Sequence, residues 1–135
     1  MTTDHIDIEV RDEIRAVIED VAAGVTTRDP DRCVARVAPD AVFVVANGSR
    51  AHGRAAIREA HVRAFAAGGP PPTARFELLD LALPRPGLAI ATTGAYRAAP
   101  GVAVDLERPP TVVTWTLLRE ADGWWVVARQ FTPVA

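Results

Sequence analysis

The chain has 135 residues, of which 49% are hydrophobic, so a single domain spanning residues 1–135 with a sizeable core is expected and disorder is not. A formal net charge of -2 gives neither a nucleic-acid footprint nor a strongly acidic tail. A single cysteine, Cys33, excludes an internal disulfide. The first residues do not form a signal peptide and no apolar run approaches a membrane span, so a cytoplasmic location is expected.

The first element is a helix over residues 6–27. Val10, Ile14, Val17, Ile18, Val21 and Val25 recur at steps of three and four, which is the apolar stripe of an amphipathic helix. Asp29-Pro30 then offers a cap and a first-turn proline for a short helix that contains Cys33, Val34 and Val37 and stops before Pro39. Within it, Cys33 reads as a small packing residue. Residues 41–46 form a short apolar strand. A third helix runs from Arg54 to Gly68-Gly69, with Pro70, Pro71 and Pro72 behind it, and turns Ile57, His61 and Phe65 inward.

The second half changes period. Residues 74–83 and 88–97 read as strands around the turn Pro84-Arg85-Pro86-Gly87. Two longer strands follow, joined at Asp122-Gly123. With that turn, Trp115 opposes Gln130, Leu117 opposes Ala128 and Val113 opposes Thr132 on a face directed at the helices. Gln130 is then an amide on an apolar face and needs a partner. The opposite face carries Leu118, Trp125, Val127, Arg129 and Phe131. Such an apolar outer patch predicts a homodimer. Helices first and antiparallel strands afterwards give an α+β class.

The stretch from Gly48 to Arg54, GSRAHGR, lies between strand and helix and is a near match to a phosphate-binding loop. Arg54 stands where such a loop has Lys, and Ala55 where it has Ser or Thr, so the hydroxyl for magnesium is missing. The glycines then serve only to turn the chain from strand to helix.

Taken together, Asp40-Ala41-Val42-Phe43, Gly48, Gly53-Arg54, Ile57, His61 and Phe65, with Asp122-Gly123-Trp124, Val126, Gln130 and Thr132 near the end, resemble the SnoaL-like branch of the NTF2-like superfamily. Within that branch they are most similar to the group labelled SgcJ/EcaC-like, over nearly the whole chain. The resemblance implies an α+β cone: three N-terminal helices packed on a strongly curved, mostly antiparallel sheet, around a pocket. It also implies a range of activities, from isomerases, cyclases, epoxide hydrolases and dehydratases to non-catalytic binders, so the fold leaves function open. Two departures from the group's pattern remove polar groups: Phe131 within Gln130-Phe131-Thr132, and Val45 in the first strand.

His61 leads the candidate site residues. An imidazole on an inward helix face can act as acid, base or hydrogen-bonding partner; the alternative is a core histidine satisfied by a backbone carbonyl. Trp115 and Gln130 would floor a pocket whose other walls are Phe43, Phe65 and Val126, and Tyr96 would stand at its rim or bond a ligand oxygen. Isomerase chemistry of the ketosteroid type needs a carboxylate, and Asp80, sharing a face with Phe76 and Leu78, is the candidate. Asp40 more plausibly caps the turn after Pro39. The sequence does not place Asp80 against Arg97 or Arg129, as epoxide-hydrolase chemistry would need. His5, His52 and His61 lack a metal-ligand spacing, so no metal is expected, and any acid/base chemistry would be cofactor-free. The expected ligand is a small, largely apolar organic molecule.

Overall fold

The computed structural model describes residues 4–68, 74–99 and 101–134. Among these, three helices precede or interrupt a single six-stranded sheet of order β2-β1-β6-β5-β4-β3. The pairing is antiparallel except between β1 (Val37–Val44) and β6 (Gly123–Pro133), which run parallel. No helix among the described residues is long and apolar enough to cross a membrane.

Helix α1 (Asp4–Thr26) buries Val10, Ile14, Ile18 and Val21, the stripe expected from its periodicity. Arg28, at φ 56, takes the left-handed position that ends many helices, and the Asp29 amide bonds back to the Gly24 carbonyl. Gly24 is required by packing: a Cβ there would stand 2.7 Å from the Cys33 backbone nitrogen. The expected cap is present, with the Asp29 carboxylate accepting from the Arg32 amide at 3.2 Å.

Helix α2 (Pro30–Cys33) is shorter than its sequence pattern suggests. Val37 is not its last apolar position but the first residue of β1, fully buried and paired with Val126. A parallel partner strand outweighs a weak helical pattern, and an irregularity between Val37 and Val42 accommodates Pro39, which has no amide to give the ladder.

The GSRAHGR loop is a hairpin. After β1, the Val45 amide bonds Ser49 O, Gly48 turns the chain at φ 87, and a short strand β2 (Arg50–His52), not foreseen from sequence, pairs back onto β1. Gly53, at φ 95, caps α3 (Arg54–Ala66). Arg54 reaches back to donate from Nε to the Val37 carbonyl at 2.6 Å, so the residue that mimics a phosphate ligand stitches helix to strand. Of the expected stop after α3, Gly68 takes a left-handed φ of 80 just past the helix end, while Gly69 and Pro70 to Pro72 lie outside the described residues.

Strands β3 (Arg75–Arg85), β4 (Leu88–Tyr96), β5 (Thr111–Glu120) and β6 complete the sheet. Its inner face meets the helices around Trp115, whose Nε1 donates to Thr93 Oγ1 at 2.9 Å and whose ring receives Phe76 edge-on. Trp115 is 0% exposed although it carries a polar atom, because that bond satisfies it.

Two bulges decide which residues face this core. The β5–β6 turn lies one residue earlier than expected, at Ala121-Asp122, so that Glu120 pairs with Gly123 and Leu117 with Val126 instead of Ala128. The register then shifts between Thr116 and Leu117, and Trp115 pairs with Arg129 and Val113 with Phe131. The extra residue is Val127. Before it, the expected inward set of Trp124 and Val126 is correct; beyond it every side chain changes face. Gln130, expected inward beside Trp115, is exposed, whereas Arg129 and Phe131, expected on the outer face, point inward. Strand β3 repeats the pattern. A shift between Leu78 and Asp80 brings Leu81 opposite Ala91, so Leu81 follows Phe76 and Leu78 into the core and Asp80 is exposed.

Candidate functional site

A cavity of about 610 Å³ opens between α3, the end of α1 and the inner face of the sheet. Val25, Phe65, Phe76 and Phe131 give it apolar walls, while His61 and Arg129 supply inner polar groups. Arg28, Arg75 and Arg97 also line it, and among the described residues no Asp or Glu does. Among the described residues no three His, Cys, Asp or Glu side chains gather as a metal site would require.

His61 sits one turn after the buried Ile57, so its ring leaves the helix toward the cavity. Its Nδ1 lies 2.9 Å from the Ile57 carbonyl. A carbonyl only accepts, so Nδ1 carries the proton and Nε2 keeps a lone pair. Nε2 has no protein partner among the described residues. Burial lowers the His61 pKa, the charge of Arg129 lowers it further, and the bond to Ile57 opposes both. The ring is therefore neutral at neutral pH, with its basic nitrogen available to a ligand.

Arg129 is the residue that sequence reasoning missed. It is 6% exposed, and its guanidinium lies 4.1 Å from the Phe43 ring centre, 4.9 Å from Phe131 and 5.2 Å from Trp115. Among the described residues no carboxylate or carbonyl bonds it, and its Nε is sealed from solvent without an acceptor. Burial pushes its pKa below the ordinary arginine value. Cys33, also buried, has its thiol raised to about 11 by burial, against a smaller opposite effect from Arg129. It is the small, inert packing residue its helix suggested.

The signal for Arg129 was present in the sequence. Trp124 to Ala128 is an unbroken apolar run, and strict alternation cannot bury all of it on one face. Shifting the register by one residue buries Phe131 in place of Gln130, which is the better outcome for an apolar core.

The other expected site residues divide. Phe65 and Tyr96 line the cavity with His61. The Tyr96 ring lies over Gly94 and its hydroxyl donates to Asp105 O at 2.8 Å, so it pins the connection after β4. Phe43, Trp115 and Val126 are buried in the core, the first two beneath Arg129, and none lines the cavity. Gln130 is outside on the exposed face. Asp80 is also outside: its carboxylate accepts from the Leu81 amide, and it borders a separate surface depression with Arg11 and Arg15. Among the described residues no carboxylate lines the cavity beside His61 for a ketosteroid-type proton shuttle.

The family model described as a SnoaL-like domain matches residues 14–128. No curated protein matches the chain. Among solved structures, a domain of unknown function with a cystatin-like fold from Nostoc punctiforme superposes with a TM-score of 0.78 at 17% identity, covering 93% of this chain and 77% of that one. An NTF2-like protein with a cystatin-like fold from Novosphingobium aromaticivorans gives 0.68 at 22% identity, with coverage of 98% and 86%. A ketosteroid isomerase-like protein from Erwinia carotovora atroseptica gives 0.68 at 16%, with coverage of 91% and 95%. At these identities the likeness is one of fold. With a family match over most of its length, the chain belongs to the SnoaL-like domain family, and its helices packed on one curved six-stranded sheet share the fold of NTF2-like proteins.

Proposed function

We propose that the protein binds a small, largely apolar organic molecule in the cavity between α3 and the sheet, with His61 as its polar contact. The observation that carries this reading is an unpartnered Nε2 on a neutral imidazole facing about 610 Å³ of largely apolar-walled space. If the protein is an enzyme of the SgcJ/EcaC-like kind, His61 is its acid/base group. Isomerisation, cyclisation or hydration without a cofactor are reactions that one such group can serve. A ligand carrier is the second reading, and the lack of any Asp or Glu in the cavity lining favours it.

Fluorescence titration with the uncharged probe N-phenyl-1-naphthylamine tests the cavity reading. Saturable binding to one site is expected, and Ala64→Trp, which places a bulky ring on an exposed lining residue, should abolish it. Equal affinity in the two proteins would sink the proposal. His61→Gln separates enzyme from carrier: an enzyme loses turnover and keeps the probe, whereas a carrier has no turnover to lose.

The outer sheet face supports a homodimer. The 38%-exposed Leu118 and its cross-strand partner Trp125 lie on it, the Trp125 ring partly covered by Arg36 at 4.1 Å, with Val127 half-buried beyond them; Phe131 belongs to the cavity. Sedimentation should show a dimer that Leu118→Glu dissociates, and a wild-type monomer at micromolar concentration would remove this part.

A further inference from the structure

We propose that the ligand of this cavity is an organic anion: an aromatic or aliphatic body carrying one carboxylate-type head that Arg129 holds. The inference rests on the cavity reading above and adds the class of ligand to it.

The first ground is a contrast among the arginines. Arg36, Arg54, Arg58 and Arg75 are partly buried, and each donates to an oxygen: Trp124 O and Asp122 O, Val37 O, Asp31 Oδ1, and Glu77 Oε1 respectively. Arg129 is more deeply buried than any of them and has no oxygen partner among the described residues. Buried charges are normally paired, because the interior returns little of the hydration they lose. The three rings around Arg129 attract a cation but offer it no oxygen acceptor. They fix its position and leave its hydrogen bonds unspent.

The second ground is the sign of the lining. Arg129 borders the cavity, and among the described residues no acidic side chain lines it; the neighbouring Arg75 is already paired with Glu77, which leaves Arg129 as the buried cation there without an oxygen partner. His61 adds no charge of its own while neutral, and its Nε2 can accept from a ligand hydroxyl. A single buried guanidinium with a planar fork matches a single carboxylate better than a multiply charged phosphate. Val25, Phe65 and Phe76 suit the apolar remainder of the molecule.

Two matched probes test this: 8-anilinonaphthalene-1-sulfonate and N-phenyl-1-naphthylamine, which share a ring frame and differ by one anionic group. Arg129→Met should weaken the sulfonate by about tenfold or more and leave the uncharged amine unchanged, as expected for loss of one charge-assisted contact. Equal loss of both probes, or of neither, overturns the anion proposal while a bound amine keeps the cavity reading. Failure of wild-type protein to bind either probe removes both.

A second measurement needs no variant. With the amine bound to wild-type protein, 4-phenylbutyrate should displace it at a concentration about tenfold below that needed for 4-phenylbutanamide. If the amide displaces as well as the acid, or neither displaces, Arg129 is a structural residue satisfied by water and the proposal falls.

Discussion

The two halves of β6 share one strand, the same neighbours and the same solvent, yet they obey opposite rules. From Trp124 to Val126 the even-numbered residues are buried; from Arg129 to Phe131 the odd-numbered ones turn inward. One inserted residue, Val127, makes the difference. The first half builds only core. The second half, put out of phase, delivers a cation and an aromatic ring to the cavity. Bulges sharpen the curvature of a sheet and re-aim side chains, and here the two effects are one: the feature that bends the sheet also furnishes the hollow it encloses.

Deleting Val127 should break this comparison most severely. With the extra residue gone, Ala128, Arg129 and Phe131 keep their partners Thr116, Trp115 and Val113 and their faces, but both halves then follow one unbroken alternation, the strand loses its bend, and the parallel ladder in which Val126 and Ala128 pair with Val37 and Val42 is disturbed. A loss of about 3 kcal/mol is expected from the curvature and the packing forfeited when the strand straightens. Urea unfolding measures it, and a deletion variant of native stability would show that the bend at Val127 is not needed to pack the sheet on its helices. A milder version compares neighbours. Phe131→Ala should cost about 2 kcal/mol, because it empties the space beside Phe76. Gln130→Ala, on the exposed side, should fall within about 0.5 kcal/mol of wild type.

How much could be read beforehand follows from the same physics. The α1 stripe, the α2 cap, the inward face of α3 and the strands β3 to β6 depend on periodicity and turn chemistry, which are local. Their faces depend on phase, which one extra residue reverses. His61 was legible because helical spacing from Ile57 carries no such ambiguity. Asp80, Gln130, Arg129 and Phe131 were all misplaced, and all lie beyond a bulge. Strand β2 was missed because three residues hold too little pattern to register.

Arg129→Met sharpens the comparison from the energetic side. Removing an unpaired buried charge should stabilise the protein by about 1 kcal/mol, the desolvation recovered exceeding the attraction to the three rings. Gln130→Met, one residue away but exposed, should leave the unfolding midpoint unchanged. A destabilised Arg129→Met would show that the ring cage outweighs the buried charge. It would also weaken the view that Arg129 is kept for a ligand at a cost to the fold.

The smallest expected effect belongs to His61. In the unfolded chain its imidazole titrates near 6.5, and in the native protein lower, because the cavity wall desolvates it and Arg129 repels a second charge. Below pH 6.5 the unfolded state therefore binds a proton that the native state refuses. Stability is fully present above that pH and declines as pH falls toward the native pKa. The carboxylates held below their usual range, Asp31 and Asp122, act only in more acidic solution, from 3.8 downward. Unfolding free energies measured between pH 7 and pH 5 should thus slope downward in wild-type protein and less so in His61→Gln. Bound organic anion should flatten the same slope, since a negative head beside Arg129 raises the native pKa of His61 toward its free value. Parallel slopes in wild type and variant would mean that His61 meets water rather than a desolvating cavity, and would remove the basis for giving its Nε2 a ligand.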